Sequence, residues 1–276
     1  MTLKHLGRVF ASLVVYGLIA LAVLFPILWG LLTSFKPRRA ILQYPPVMLP
    51  EEPTLAHYQR LWDEGVQHFI VNSLIVTSAT LVLSLIVGLF AAYALARANF
   101  SGRTVIMFVI IAVMSIPIAS LLVPTFTMLS QIGLLDTRTG LVLLYTAYQL
   151  PIVVWMLMGY IQTLPVELEH AAMIDGHSRL SVIVRIVAPL SAPALVAAGL
   201  FIITFAWNDF VVALVMNSSV ATRTLPVAVY NFLGFFGRDW GPLLAASMLS
   251  IVPVIIVFIA FQKHFVSGMT GGSVKG

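Results

Sequence analysis

Between one Asp, Glu, Lys or Arg and the next, the chain runs through six long uncharged stretches: residues 9–35, 65–96, 104–135, 139–166, 186–208 and 240–262. Each reaches or exceeds the about 20 residues that a helix rising 1.5 Å per residue needs to cross a 30 Å hydrocarbon layer. None alternates polar and apolar positions in the short runs of a barrel strand. Backbone groups in lipid must be satisfied within their own segment, so the pattern predicts six transmembrane helices. The first stretch follows Lys4 and Arg8 as the core of a signal peptide would, yet it is too long for one, and no small-residue cleavage site precedes Lys36. Pro26, Pro117, Pro124 and Pro151 fall inside the stretches and predict kinks or short loops within a polytopic bundle.

Composition removes the soluble alternatives. Of 276 residues, 60% are hydrophobic and only 9% charged, with mean hydropathy +1.03, whereas soluble chains carry about 25% charged residues. The absence of cysteine excludes disulfides, thiolate metal sites and cysteine nucleophiles. The net charge of +5 is scattered singly and in pairs, without the basic, aromatic-interleaved face that a nucleic-acid partner would require. Six passes place both termini on one side. With the termini in the cytoplasm, Lys4, Arg8, Arg97, Arg103, Arg179, Arg185, Lys263 and Lys275 lie inside, and Lys36, Arg38, Arg39, Arg60, Arg138, Arg223 and Arg238 lie outside. That is a slight excess in the favoured direction.

The expected organisation is an N-terminal transmembrane helix over 1–35, an external loop over 36–68 that ends in a short surface helix, a five-helix core over 69–265 and a glycine-rich tail over 266–276. A second external segment, 218–239, is rich in aromatics and glycine. Between the fourth and fifth stretches lies a cytoplasmic loop, 164–190. Pro165 with Glu167 and Glu169 is a helix-start signal, Gly176 can supply a left-handed stop, and a new helix is expected from Ser178 to Pro189. Leu168, Ala171 and Ala172 are expected to share the face of this short interfacial helix.

In that loop Glu169-His170-Ala171-Ala172, then Asp175-Gly176, then Ile186 and Pro189 resemble the EAA motif of ATP-binding-cassette importer permeases, E-A-A-x3-G-x9-I-x-L-P. Two positions depart from it: His170 stands where the motif has glutamate, and Ala188 replaces the leucine. Ala91 to Arg97 with Gly102-Arg103, Trp207-Asn208-Asp209, and the tail from Gly268 to Gly276 are similar to segments of the type I carbohydrate importers, in particular the smaller permease subunit of the maltose type. The resemblance implies a permease half pairing with a homologous second permease, two ATPase subunits and an extracytoplasmic solute-binding protein, in a bacterial or archaeal cytoplasmic membrane. It implies that Glu169, His170, Ala171, Ala172, Asp175 and Gly176 form the coupling helix seated on an ATPase subunit. The histidine weakens the ion pair expected from that position, so Glu169 is one candidate to replace it and a hydrogen bond from His170 across the same interface is the other. By the same resemblance Gly271, Gly272 and Lys275 run into the ATPase interface, and ATP and Mg belong to the partner subunits, leaving this chain without a cofactor.

Trp207, Asn208 and Asp209 are candidates for the substrate path, since an ionisable residue within a span is by default a functional candidate. Packing between helices is the competing reading and the favoured one. No G-x-x-x-x-G-K-[ST], G-x-S-x-G or H-E-x-x-H occurs, so neither nucleotide hydrolysis nor the commonest hydrolase chemistries are expected in this chain. An ion-coupled secondary transporter would show repeated halves and several buried charges, and an intramembrane protease a nucleophile and base within spans. A glycerol phosphodiester is the alternative cargo to a sugar.

Overall fold

The computed structural model describes residues 3–230 and 239–270, with side chains over 12–230 and 239–261. Among the described residues the chain is entirely helical. In order, the helices are α1 (Leu3–Ser34), α2 (Arg38–Ile41), α3 (Ala56–Asp63), α4 (Val66–Arg97), α5 (Arg103–Met114), α6 (Ile118–Gln131), α7 (Arg138–Ile161), α8 (Glu167–Ile174), α9 (Arg179–Val182), a π-helical turn over Ile183–Val187, α10 (Ala188–Leu190), α11 (Ala192–Asn208), α12 (Val211–Met216), α13 (Leu225–Tyr230) and α14 (Trp240–Thr270).

Four helices are long and apolar enough to cross a membrane as single rods. Two further stretches are bent pairs: α5 and α6 meet at 103°, and Arg179–Leu190 meets α11 at 79°. Among the described residues there are thus four spans, or up to the expected six when each bent pair is counted as one pass. Pro117 accounts for the first break. Ser115 and Ile116 bond back to the carbonyls of Ala112 and Val113 in tight terminal turns, and Pro117 then caps α6 with extended backbone. Pro26, Pro124 and Pro151 lie inside continuous helices, so a proline alone did not decide where a pass breaks. The second break comes at Ser191, two residues beyond the expected stop at Pro189.

The chain divides into two compact units. The first draws on Met1–Val66 and Ala228–Val252. Here α3 forms the amphipathic surface helix expected at the end of the first external segment, and α4 has already begun at Val66. Arg60 binds Glu64 at 2.7 Å and Asp239 at 2.5 Å, while His57 Nε2 donates to the Lys36 carbonyl at 2.9 Å. Lys36 is buried, with its Nζ 2.6 Å from the Val47 carbonyl and 4.6 Å from the Trp29 ring centre. Burial pushes its ammonium below the ordinary lysine value.

The second unit draws on Gln67–Val227 and Pro253–Gly276. Its interior holds two apolar clusters. One joins Leu89, Ala92 and Leu95 of α4 to Val153, Leu157 and Ile161 of α7, Ala172 of α8 and Ala198 and Ile202 of α11. The other joins Val76, Leu141, Tyr145, Ala206, Val212 and Met216. Since lipid tails are as apolar as leucine, such helices associate by close packing and interhelical bonds rather than by escape from water. The α4 sequence suits close packing: the small residues Ser73, Thr77, Thr80, Ser84 and Gly88 recur at helical spacing, and the four hydroxyl residues are buried. At Gly88 a Cβ would lie 2.5 Å from Val153 Cγ1, so only glycine admits α7 at this distance.

Candidate functional site

The sequence start signals hold for α8: Glu167 and Glu169 occupy its first turn, and Gly176 follows its end with φ of +86°. Nothing lies within 4 Å of a Cβ placed on Gly176, so the backbone angle, not crowding, calls for glycine there. Ser178 then caps α9, its hydroxyl accepting from the Ser181 amide at 3.3 Å.

Of the face shared by Leu168, Ala171 and Ala172, α8 buries only Ala172, together with Glu169. Leu168 is 46% exposed and Ala171 is exposed, while Glu169 at 4% and Ala172 at 6% are the buried pair. The reason is electrostatic. Arg97, the last residue of α4, places Nε 2.7 Å from Glu169 Oε1, and the Tyr93 hydroxyl donates to Glu169 Oε2 at 2.9 Å. A second guanidinium nitrogen of Arg97 donates to the Leu164 carbonyl at 2.8 Å. Tyr93 and Arg97 are four residues apart, one turn along the same face of α4, so both reach one carboxylate. A buried carboxylate is tolerated only when paired and hydrogen-bonded, and this one is both.

This corrects the expectation that Glu169 could take over an outward ion pair from the position of His170. Its carboxylate is turned into the subunit and fully engaged there. His170, Ala171, Asp175 and Gly176 are exposed, with Ile174 at 86%, and form the outward surface of the segment. His177, also exposed, has Nδ1 3.1 Å from the Ser181 hydroxyl. The link from Glu169 to Arg97 escaped sequence reasoning, although both residues had been singled out, because 72 positions separate them.

Trp207, Asn208 and Asp209 form a helix junction. Trp207 is 2% exposed, and Asn208 donates to the Thr204 carbonyl at 2.8 Å. Asp209 Oδ2 accepts from the Tyr145 hydroxyl at 2.6 Å and from the Ala213 amide at 3.0 Å, holding α7 and the first turn of α12 to the end of α11. Buried Trp207 and the bonds of Asp209 belong to packing between helices, whereas Asn208 is exposed and bonded within α11. Near the opposite end of α7 from the Glu169 site, Asp136 Oδ1 accepts from the Ser219 amide and hydroxyl, both at 3.1 Å, and from the Thr222 hydroxyl at 2.6 Å. Burial would raise the Asp136 carboxyl, but these bonds outweigh it and hold the group below the usual carboxylate range. Gly271, Gly272 and Lys275 lie outside the described residues.

Residues 84–271 match the family of binding-protein-dependent transport system inner membrane components. The chain is 40% identical over 254 residues, 92% of its length and 89% of the relative's, to the sulfoquinovosyl glycerol transport system permease protein SmoH of Agrobacterium fabrum. It is 35% identical, over 96% of both chains, to the trehalose/maltose transport system permease protein MalG of Thermococcus litoralis. Among solved structures, a chain of a bacterial transporter that imports the acidic polysaccharide alginate shares the fold with TM-score 0.81 at 24% identity, over 96% of this chain and 99% of that one. The chain belongs to the binding-protein-dependent inner membrane component family and is a permease subunit of an ATP-binding-cassette importer.

Proposed function

We infer that the chain forms half of the translocation pathway for a sugar or sugar derivative and is driven by separate ATPase subunits through the 164–190 loop. The observation that carries the coupling role is the disposition of α8: its anchor, Glu169 with Ala172, faces inward, and His170, Ala171, Ile174 and Asp175 are left outward. Sugar cargo is supported by the relatives, whose names specify sulfoquinovosyl glycerol and trehalose or maltose.

On this reading both termini lie in the cytoplasm of a bacterial or archaeal cell, and the chain sits in its cytoplasmic membrane. It pairs with a homologous second permease, binds two ATPase subunits that carry ATP and Mg, and receives cargo from an extracytoplasmic binding protein. It has no ATPase site of its own. The tail, with Gly271, Gly272 and Lys275, reaches the ATPase interface, where glycines allow close backbone approach and Lys275 adds a donor. Trp207, Asn208 and Asp209 shape the path as a structural support rather than as a cargo ligand.

Ala171→Trp tests the coupling role cleanly. The position is exposed, so the bulk is accommodated within the subunit and meets only a docked partner. We expect membrane insertion and pairing with the second permease to persist while ATPase binding or ATP-driven uptake is lost. Wild-type uptake by this variant would remove α8 from the docking surface. Uptake by reconstituted complex of a ligand panel spanning hexosides, disaccharides, sulfonated sugars and glycerol phosphodiesters tests the cargo class, and an ion gradient that replaces ATP would overturn the importer mechanism. Deleting residues 270–276 should impair stimulation of ATP hydrolysis by loaded binding protein without loss of expression.

A further inference from the structure

The connections on the two sides of α8 differ in kind. On its N-terminal side, Arg97 binds both the Glu169 carboxylate in the first turn of α8 and the Leu164 carbonyl in the middle of the short linker from α7. Tyr93 adds a second donor to the same carboxylate from one turn earlier in α4. Two side chains of one helix thus fix a buried group of another by two directional bonds, one of them an ion pair with the flanking side chains 13% and 5% exposed, and a third bond holds the linker at Leu164. On the C-terminal side the chain passes through Gly176 at φ +86° and a run of exposed residues to Leu180, then through the π-helical turn and the 79° bend at Ser191. The other buried residue of α8, Ala172, joins with half-buried Met173 the apolar cluster that holds Val182, Ile183 and Val187, so this side is held by packing without a directional side-chain bond to a buried group.

We propose that Tyr93 and Arg97 are positioning residues for coupling: with Glu169 they make α8 a fixed extension of the end of α4, so that a displacement of α8 is delivered first to that span. The idea rests on the docking role assigned to α8. An ion pair of this kind resists change of both distance and angle, whereas a glycine turn and a bent junction absorb rotation. A partner pushing on the outward residues of α8 therefore moves α4 with it, and the accommodation falls between α8 and α11.

The chain has no cysteine of its own, so paired spin labels can be introduced in it at chosen sites, in a complex whose partner subunits are made cysteine-free. One pair, Ile86→Cys with Glu167→Cys, spans α4 and α8; a second, Glu167→Cys with Phe201→Cys, spans α8 and α11. All three positions are exposed. Distances are read in the assembled complex, without nucleotide and with a nonhydrolysable ATP analogue. We expect the first to stay within the width of its distribution and the second to shift. In Glu169→Gln the first distribution should broaden beyond the wild-type width and respond to nucleotide. In Tyr93→Phe, which keeps the ion pair and the volume, it should broaden less; this variant also gives the reading if Glu169→Gln does not assemble.

A first distance that shifts with nucleotide in the wild-type complex, or that is indifferent to both substitutions, overturns the proposal while leaving α8 as the docking element. The measurement needs no cargo, so a cargo other than a sugar leaves it standing. Failure of the chain to bind ATPase subunits, seen by co-purification, overturns both readings.

Discussion

The two ends of α4 are fastened by different chemistry. Near its start, Asn72 donates to the carbonyls of Ala221 and Arg223 at 3.0 and 2.8 Å, and the Ser73 hydroxyl accepts from the Leu225 amide at 2.8 Å. These are neutral bonds from side chain to backbone, and they fix a loop to a helix. About 37 Å further along, at 1.5 Å per residue, Arg97 and Tyr93 hold Glu169 through charge. A neutral bond in a protein interior contributes about 1 kcal/mol net, whereas an ion pair that loses one member leaves an uncompensated charge behind. The neutral end tolerates the loss of one bond; the charged end fails as a unit.

The sharpest way to break this contrast is Arg97→Leu. It abandons the Glu169 carboxylate in a buried position, and we expect a loss of about 3–5 kcal/mol, seen as a depressed thermal midpoint of the purified subunit or as failure to accumulate. Replacing Glu169 by Leu in the same chain should recover much of the loss, since removing both charges is far cheaper than removing one. Asn72→Ala at the other end removes two part-buried bonds, while the Ala221 carbonyl keeps a donor in Arg138, and should cost about 1 kcal/mol; limited proteolysis should then cut first in the 217–224 loop.

Asp136→Asn sharpens the comparison because this carboxylate is held by hydroxyls and an amide, with no cation among the groups that bond it. Its value is depressed in the folded protein, so its stabilising contribution is complete above the unfolded value and is lost as the pH falls through the folded one. The advantage of wild type over Asp136→Asn should therefore be level at neutral pH and shrink only below about pH 4. Tyr145→Phe removes one bond to Asp209, which keeps the Ala213 amide, and should likewise cost about 1 kcal/mol. A larger effect confined to transport, with the melting midpoint unmoved, would return Asp209 to the substrate path.

Much of this was legible along the chain because it is local. Hydrocarbon thickness sets the length of an uncharged stretch, so the passes could be counted; start and stop chemistry at Glu167, Gly176 and Ser178 depends on neighbours within a turn. What was illegible is long-range. Nothing within a turn of Glu169 shows that Arg97, arriving from another helix, holds its carboxylate inward and leaves Leu168 and Ala171 exposed. The bends show the same limit. Pro117, Pro124 and Pro151 are chemically identical, and only Pro117 coincides with a chain that had already closed its helix by tight turns at Ser115 and Ile116.

The close approach at Gly88 implies a constraint on sequence change. A methyl added there collides with Val153, and the two positions can drift only together. Gly88→Ala alone should be poorly tolerated, Gly88→Ala with Val153→Ala should restore accumulation in the membrane, and natural variation at the two sites should be correlated, with volume gained at one matched by volume given up at the other.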